Sequence, residues 1–242
     1  MIVVKDFHAP KLGSRETDYE DAFAYDLELG RFAVADGASD SIFSGLWARS
    51  LSETFVNSNL KTDNEETFIH DLVRISRDKW YREIKWNDLK LFVKNKAING
   101  SFSTFIGVET VHSDSFERLK ITSVGDSCFF YINGSELVSF PLSRPEDFNI
   151  SPMLIWSGYG APFTSEFRWK SPVYKSLSTN IPGNEFVLAT DALSKWIMEF
   201  YPESWEIIHG SNLREYFEEA VKKKQIRNDD LTLVIVEIET DQ

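Results

Sequence analysis

Five sites rich in aspartate stand at the ends of apolar, strand-like runs in this 242-residue sequence. Asp36 directly follows FAVA, and Asp191 directly follows FVLAT. Asp126 comes one glycine after the run ending ITSV. Asp21 directly precedes AFAY, and Asp229 and Asp230 directly precede LTLVIVEI. In an antiparallel sheet the carboxyl end of one strand lies beside the amino end of its neighbour. These acids can therefore converge on one edge. Carboxylates gathered there repel one another unless something cationic compensates. A ligand set made of oxygen alone suits hard cations, Mg²⁺ or Mn²⁺, rather than zinc or copper. Two such ions roughly 3.5–4 Å apart hold a hydroxide and clamp both oxygens of an in-line phosphoryl displacement. For any single aspartate, backbone hydrogen bonding at a turn is the plainer explanation. Five positions together weigh against it.

Other residues offer less chemistry. His8, His70, His112 and His209 show no ligand spacing and read as solvated or capping side chains. The single cysteine, Cys128, excludes an internal disulfide framework and a Cys-rich zinc site. It opens the apolar run FFYI with no activating His or Arg nearby in sequence, so it reads as a buried thiol. Lys and Arg total 26 against 38 Asp and Glu, a formal net charge of −12. Such a field repels nucleic acid, anionic membrane and free phosphate esters unless bound metal inverts it locally. No nucleic-acid or membrane partner is expected. The basic run Lys222–Lys224 closes a helical pattern, where cations suit the helix dipole. The amino terminus carries no secretory pattern, and no apolar run approaches the roughly 20 residues of a membrane span. A soluble, cytoplasmic, monomeric chain is the expectation.

The elements that must position the acids come next. With 42% apolar and 14% aromatic residues the chain is globular in composition. It shows no internal repeat and no linker, so residues 1–242 read as one domain. Strands are expected at 2–7, 22–28 and 31–35, the last two joined by a turn at Leu29-Gly30. Phe43, Trp47, Leu51 and Phe55 recur every four residues and predict a helix. A second helix is read from Asp63, with Glu66 completing a capping box and Phe68, Leu72, Ile75 and Trp80 as its stripe. Strands follow at 102–111, 117–124, 128–132 and 135–140, with an Asn133-Gly134 turn between the last two. The stretch 141–183, rich in proline, reads as loops around a strand at 169–177. A strand at 185–190, helices near 192–200 and 211–224, and a strand at 231–238 complete the chain. Strands and helices come in blocks, which argues for antiparallel sheets covered by helices, an α+β fold.

The acid sites also resemble, in order, the motifs of the metal-dependent protein phosphatases, the protein phosphatase 2C family. Tyr19-Glu20-Asp21-Ala22 resembles N-E-D-A, and Ala35-Asp36-Gly37 resembles a D-G motif followed by a helix. Ser101-Phe102-Ser103-Thr104 stands where a G-S-T strand motif belongs, and Gly125-Asp126-Ser127 matches G-D-S. Thr190-Asp191-Ala192-Leu193 resembles T-D-G-L, and Asp229-Asp230-Leu231-Thr232 resembles D-N-x-T. The motifs span about residues 13–237 and suggest a small, divergent, single-domain member of bacterial type.

The resemblance implies a four-layer α-β-β-α sandwich with two Mn²⁺ or Mg²⁺ ions at one end and an optional third. It implies that Asp36 bridges the ions, that the Gly37 carbonyl serves one, and that Asp191 and Asp229 serve the other. Glu20 and Asp21 would hold metal-bound waters, Asp126 would serve the third ion, and Arg15 would clamp the phosphate. The implied activity is that of a serine/threonine phosphoprotein phosphatase, in which a metal-bridging hydroxide attacks phosphorus directly. The implied partners are a phosphorylated protein and a cognate Ser/Thr kinase. The chain departs from the pattern at Ala38-Ser39, which leave no histidine general acid, and at Ala192 and Asp230. Arg15 stands five residues before Glu20, one more than is usual. These departures motivate an alternative, an inactive phosphatase-fold module that binds a phosphoprotein.

Overall fold

Phe32 and Val34 pack on one face of the strand RFAVAD while Ala33 and Ala35 pack on the other, and all four are buried. A strand buried on both faces requires a layer on each side. The computed structural model supplies them; it describes residues 1–58, 60, 65–113, 116–148, 152–159 and 175–238.

The strands are β1 (Ile2–Ala9), β2 (Asp21–Asp26), β3 (Arg31–Asp36), β4 (Phe102–Ser103), β5 (Phe105–Ser113) and β6 (Phe116–Val124). They continue with β7 (Cys128–Asn133), β8 (Glu136–Phe140), β9 (Ile155–Trp156), β10 (Lys175–Thr179), β11 (Glu185–Ala189) and β12 (Leu231–Ile238). Six α-helices accompany them among the described residues: α1 (Ser44–Asn57), α2 (Glu65–Glu83), α3 (Leu91–Ile98), α4 (Asp191–Glu199), α5 (Glu203–Ile208) and α6 (Leu213–Lys222). One large sheet has the order β1-β12-β11-β7-β8, the other β10-β6-β5-β3-β2, and β4 and β9 form a small antiparallel pair. Every pairing within them is antiparallel.

The sheets meet through Phe32, Val34, Ile106, Val108 and Ile121 on one side and Phe129, Phe186, Leu188, Val234 and Val236 on the other. Trp47, Leu51 and Phe55 of α1 and Phe68, Leu72 and Trp80 of α2 cover the outer face of the second sheet. Leu193, Trp196 and Ile197 of α4, with Phe217 and Ala220 of α6, cover the outer face of the first. The result is the α-β-β-α sandwich expected from the sequence. Cys128 packs in that last layer, and burial pushes its thiol up to about 12, which removes it from nucleophilic chemistry at neutral pH.

The structure differs from the sequence reading in several places. The expected strand 102–111 is split at Thr104. The Thr104 N–H still donates to the Asp36 carbonyl at 2.9 Å, but the returning ladder bond is lost: the Asp36 N–H donates to Thr104 Oγ1 at 3.1 Å, and the Thr104 carbonyl accepts from Ser103 Oγ at 2.7 Å. The turn after β2 is longer than Leu29-Gly30, and only Gly134 and Ser135 separate the paired ends of β7 and β8. The helices α3 and α5 had no strong apolar stripe; on α3, Leu91, Phe92 and Ile98 are 74%, 69% and 62% exposed. The Asp63–Glu66 capping box and most of the expected strand 169–177 lie outside the described residues and side chains. Among the described residues no helix is long and apolar enough to cross a membrane.

Candidate metal centre

Strand pairing brings the acids to one edge of the sandwich. Asp21 opens β2, Asp36 closes β3, and the two are direct partners in the antiparallel register. β11 and β12 pair so that Ala189 faces Leu233, which sets Asp191, just past β11, near Asp229 and Asp230, just before β12. Asp126 sits two residues beyond β6, whose last residue pairs with Phe105. Gly125 takes φ +102°, a backbone conformation natural to glycine, to turn the chain there.

A hydrogen-bonded seam ties the two sheets at this edge. Thr232 of β12 donates through Oγ1 to Asp21 Oδ2 at 2.7 Å, and Tyr19 Oη lies 2.5 Å from the same hydroxyl. The Thr190 N–H donates to the Thr232 carbonyl at 3.1 Å, and the Thr232 N–H donates to Thr190 Oγ1 at 3.2 Å. Gly37 is packed so closely that a Cβ there would lie 2.6 Å from the Glu20 carbonyl oxygen and 2.6 Å from the Ser44 backbone carbon. Only glycine fits, and that lets the 36–38 backbone run against the Glu20 segment.

The electrostatics confirm that these carboxylates sense one another. Burial first, then the charges of Asp21, Asp191, Asp126 and Asp229, hold Asp36 well above the usual carboxylate range. Burial pushes Asp21 up to about 8 against the relieving hydrogen bond from Thr232, and the Asp230 charge adds to it. Burial and then Asp191 push Asp126 up to about 7. Asp126 is only 4% exposed, and neither of its carboxylate oxygens has a hydrogen-bond partner among the described residues. A buried carboxylate with nothing bound to it is costly, and native proteins rarely leave one so.

The two adjacent aspartates before β12 part ways. Asp230 is buried, and its oxygens accept the N–H groups of Lys11 at 2.8 Å and Glu20 at 2.7 Å. It is occupied in holding backbone. Asp229 keeps its carboxylate among cations: Lys11 Nζ lies 3.2 Å from its Oδ1, which also accepts the adjacent Asp230 N–H at 3.0 Å, and Arg227 donates to its Oδ2. Arg227 Nη2 also donates to Asp191 Oδ2 at 2.5 Å, so one guanidinium bridges both acids. Glu20 accepts from Ser44 Oγ at 2.5 Å and lies 3.6 Å from Lys11 Nζ. Arg15 is turned elsewhere. Its guanidinium forks Asp18 at 3.1 and 3.0 Å, and its side chain is 81% exposed. Lys11 and Arg227 were not singled out by sequence reasoning; the signal in the chain is a basic residue two positions before Asp229 in RNDD.

Among the described residues no three acidic, histidine or cysteine side chains converge closely enough to form a ready-made metal cage. The donor set nevertheless suits a hard divalent cation: carboxylate oxygens, an orphaned Asp126, and a glycine backbone pressed to the edge of the cluster. Two cavities flank the carboxylates. One, of about 890 Å³, is lined by Lys11, Tyr19, Glu20, Asp21, Ser44 and Arg49 among others. The second, of about 580 Å³, is lined on its polar side by Asp191, Lys195, Glu199, Lys224, Gln225 and Arg227.

No family model matches the sequence, and no curated protein matches it either. Solved structures do. The chain is similar to the serine/threonine phosphatase Stp1 from Staphylococcus aureus, with a TM-score of 0.61 at 13% identity over 99% of this chain and 96% of that one. It is similar to the Mycobacterium tuberculosis serine/threonine phosphatase PstP/Ppp, with a TM-score of 0.59 at 14% identity over 99% of each chain. A bacterial serine phosphatase matches with a TM-score of 0.63 at 11% identity over the whole of both chains. The fold of this chain is therefore that of the protein phosphatase 2C-like proteins.

Proposed function

We propose that this protein is a Mn²⁺- or Mg²⁺-dependent phosphatase that removes phosphate from serine or threonine of a phosphorylated protein. The observation that carries this reading is Asp126: a buried, unpartnered carboxylate beside Asp36, Asp191 and Asp229 on a phosphatase fold. Asp36, Asp191, Asp229 and the Gly37 carbonyl would hold two cations, Asp126 a third, and Glu20 and Asp21 the surrounding water. The cations, when bound, neutralise the phosphate and lower the pKa of the attacking water.

The chain's own residues position and exclude. Thr232 and Tyr19 fix Asp21, so that its carboxylate cannot swing away from Asp36. Thr104 and Ser103 lock the backbone of Asp36: Asp36 N–H donates to Thr104 Oγ1 at 3.1 Å, and Ser103 Oγ donates to the Asp36 carbonyl at 2.8 Å. With Ala38 and Ser39 after Gly37, no histidine is at hand there to protonate the leaving alkoxide, and solvent supplies that proton. A cognate kinase, a cytoplasmic setting and a monomeric state complete the proposal.

The test is release of phosphate from p-nitrophenyl phosphate and from a phosphothreonine peptide, with Mn²⁺, with Mg²⁺ and with EDTA. Turnover that needs metal and disappears in Asp36→Asn supports the reading. A second reading has its own observation. Arg227 and Lys11 already pair with Asp191, Asp229 and Glu20, as they would in a binding module that no longer takes metal. Folded protein that releases no phosphate with either metal selects that reading.

A further inference from the structure

We propose that Arg227 exchanges partners. Without metal its guanidinium holds Asp191 and Asp229 together; once those carboxylates take divalent cations it moves into the adjoining pocket and holds the phosphate of the substrate. This rests on the reading of the site given above.

Arg227 Nη2 is within hydrogen-bond distance of both carboxylates, so the guanidinium stands where positive charge is most needed. A guanidinium and a divalent cation cannot share that position, because like charges a few ångströms apart repel strongly in a partly desolvated site. Arg227 pairs with Asp191 and Asp229, and Lys11 with Asp229 and Glu20, so cations of the chain already stand at these three acids. The buried Asp126, unpartnered beside them, shows that the internal cations satisfy only part of the cluster.

Arg227 has somewhere to go. Its side chain is 56% exposed, and it lines the cavity of about 580 Å³ together with Lys195 and Lys224. Lys224 has no ion-pair partner among the described residues, and Lys195 has only Glu199, at 3.7 Å. The three cations of this cavity outnumber the two acids on the same lining, Asp191 and Glu199, so in a chain of net charge −12 the pocket is a local reversal that suits an anion. A guanidinium offers a planar fork that fits two phosphate oxygens. Arg15 pairs at the surface with Asp18, three residues away.

The experiment is titration calorimetry of the whole chain with Mn²⁺, and then of the Mg²⁺-loaded chain with inorganic phosphate. Wild type, Arg227→Gln and Arg227→Lys are compared, and circular dichroism checks that each is folded. Arg227→Gln should take Mn²⁺ about tenfold more tightly and phosphate about tenfold more weakly, with Arg227→Lys recovering part of the phosphate affinity. Unchanged Mn²⁺ affinity, or unchanged phosphate affinity, in Arg227→Gln overturns the exchange. A wild-type chain that binds no Mn²⁺ at all overturns instead the metal-dependent reading on which the exchange rests.

Discussion

The Asp230 carboxylate accepts the backbone N–H of Glu20 at 2.7 Å, joining residues 210 positions apart in sequence. Its other oxygen takes the N–H of Lys11 at 2.8 Å. One buried side chain thus sews the segment between β1 and β2 onto the start of β12, and leaves its neighbour Asp229 to the cations.

That division separates structure from chemistry. Asp230→Ala strands two backbone donors in partly buried positions and should cost about 2–4 kcal/mol in urea unfolding. Asp229→Ala removes a partly buried carboxylate whose ion pairs are offset by the repulsion of the neighbouring acids, and should change stability by about 1 kcal/mol or less, while weakening Mn²⁺ binding. Equal destabilisation by both would refute the assignment.

Asp126 should respond in the opposite direction. Its carboxylate has no hydrogen-bond partner among the described residues and is charged above about pH 7, so Asp126→Asn should stabilise the chain in EDTA at about pH 8 to 9. A gain of about 1 kcal/mol corresponds to a Tm rise of about 2–4 °C in a chain of this size. Scanning calorimetry in EDTA reads it, and a lower Tm than wild type would show that the carboxylate has a partner.

Gly37→Ala tests the close approach at the edge of the cluster. The added methyl meets two backbone atoms at 2.6 Å, neither of which can rotate away. A loss of about 1–3 kcal/mol is expected, the usual cost of overpacking. Wild-type stability in urea would mean that the 36–38 segment is free to shift.

His209 supplies a pH dependence remote from the acids. Its Nε2 lies 2.9 Å from Glu185 Oε2 and its Nδ1 2.6 Å from the Trp205 carbonyl, so both ring nitrogens are placed to donate. The Glu185 hydrogen bond, against the opposing cost of burial, raises its pKa above the ordinary value. A histidine whose folded pKa is raised contributes stability that is full below its unfolded pKa, near 6.5, and is lost as pH rises through the folded value. Wild type should therefore lose about 2–4 °C more than His209→Gln between pH 6 and pH 8.5, for a hydrogen bond worth about 1 kcal/mol. Parallel melting curves across that range would remove the histidine from the account.

Much of the fold was legible in the chain. The nearly unbroken apolar runs in RFAVAD and LTLVIVEI read as strands, and because successive side chains point to opposite sides, such a run is buried on both faces. The four-residue spacing of Trp47, Leu51 and Phe55 implied the helix that covers one of them. The helix α3 escaped notice because its apolar residues, Leu91, Phe92 and Ile98, face solvent, and its lysines interrupt any stripe.

Sequence by itself determined where the acids stand relative to their strands, since a strand end is a property of neighbouring residues. Only the tertiary structure decided what each acid does there. Asp229 and Asp230 look alike in the chain, yet one pairs with two side-chain cations and the other holds two backbone N–H groups distant in sequence. Arg15 had the motif position but closes on Asp18, three residues away, while Arg227 reaches Asp191 across 36 residues. The physical reason is the range of the forces involved. Hydrophobic alternation is written over adjacent residues, whereas the pairing of charges depends on which strands become neighbours, and strand order is settled only when the sheets assemble.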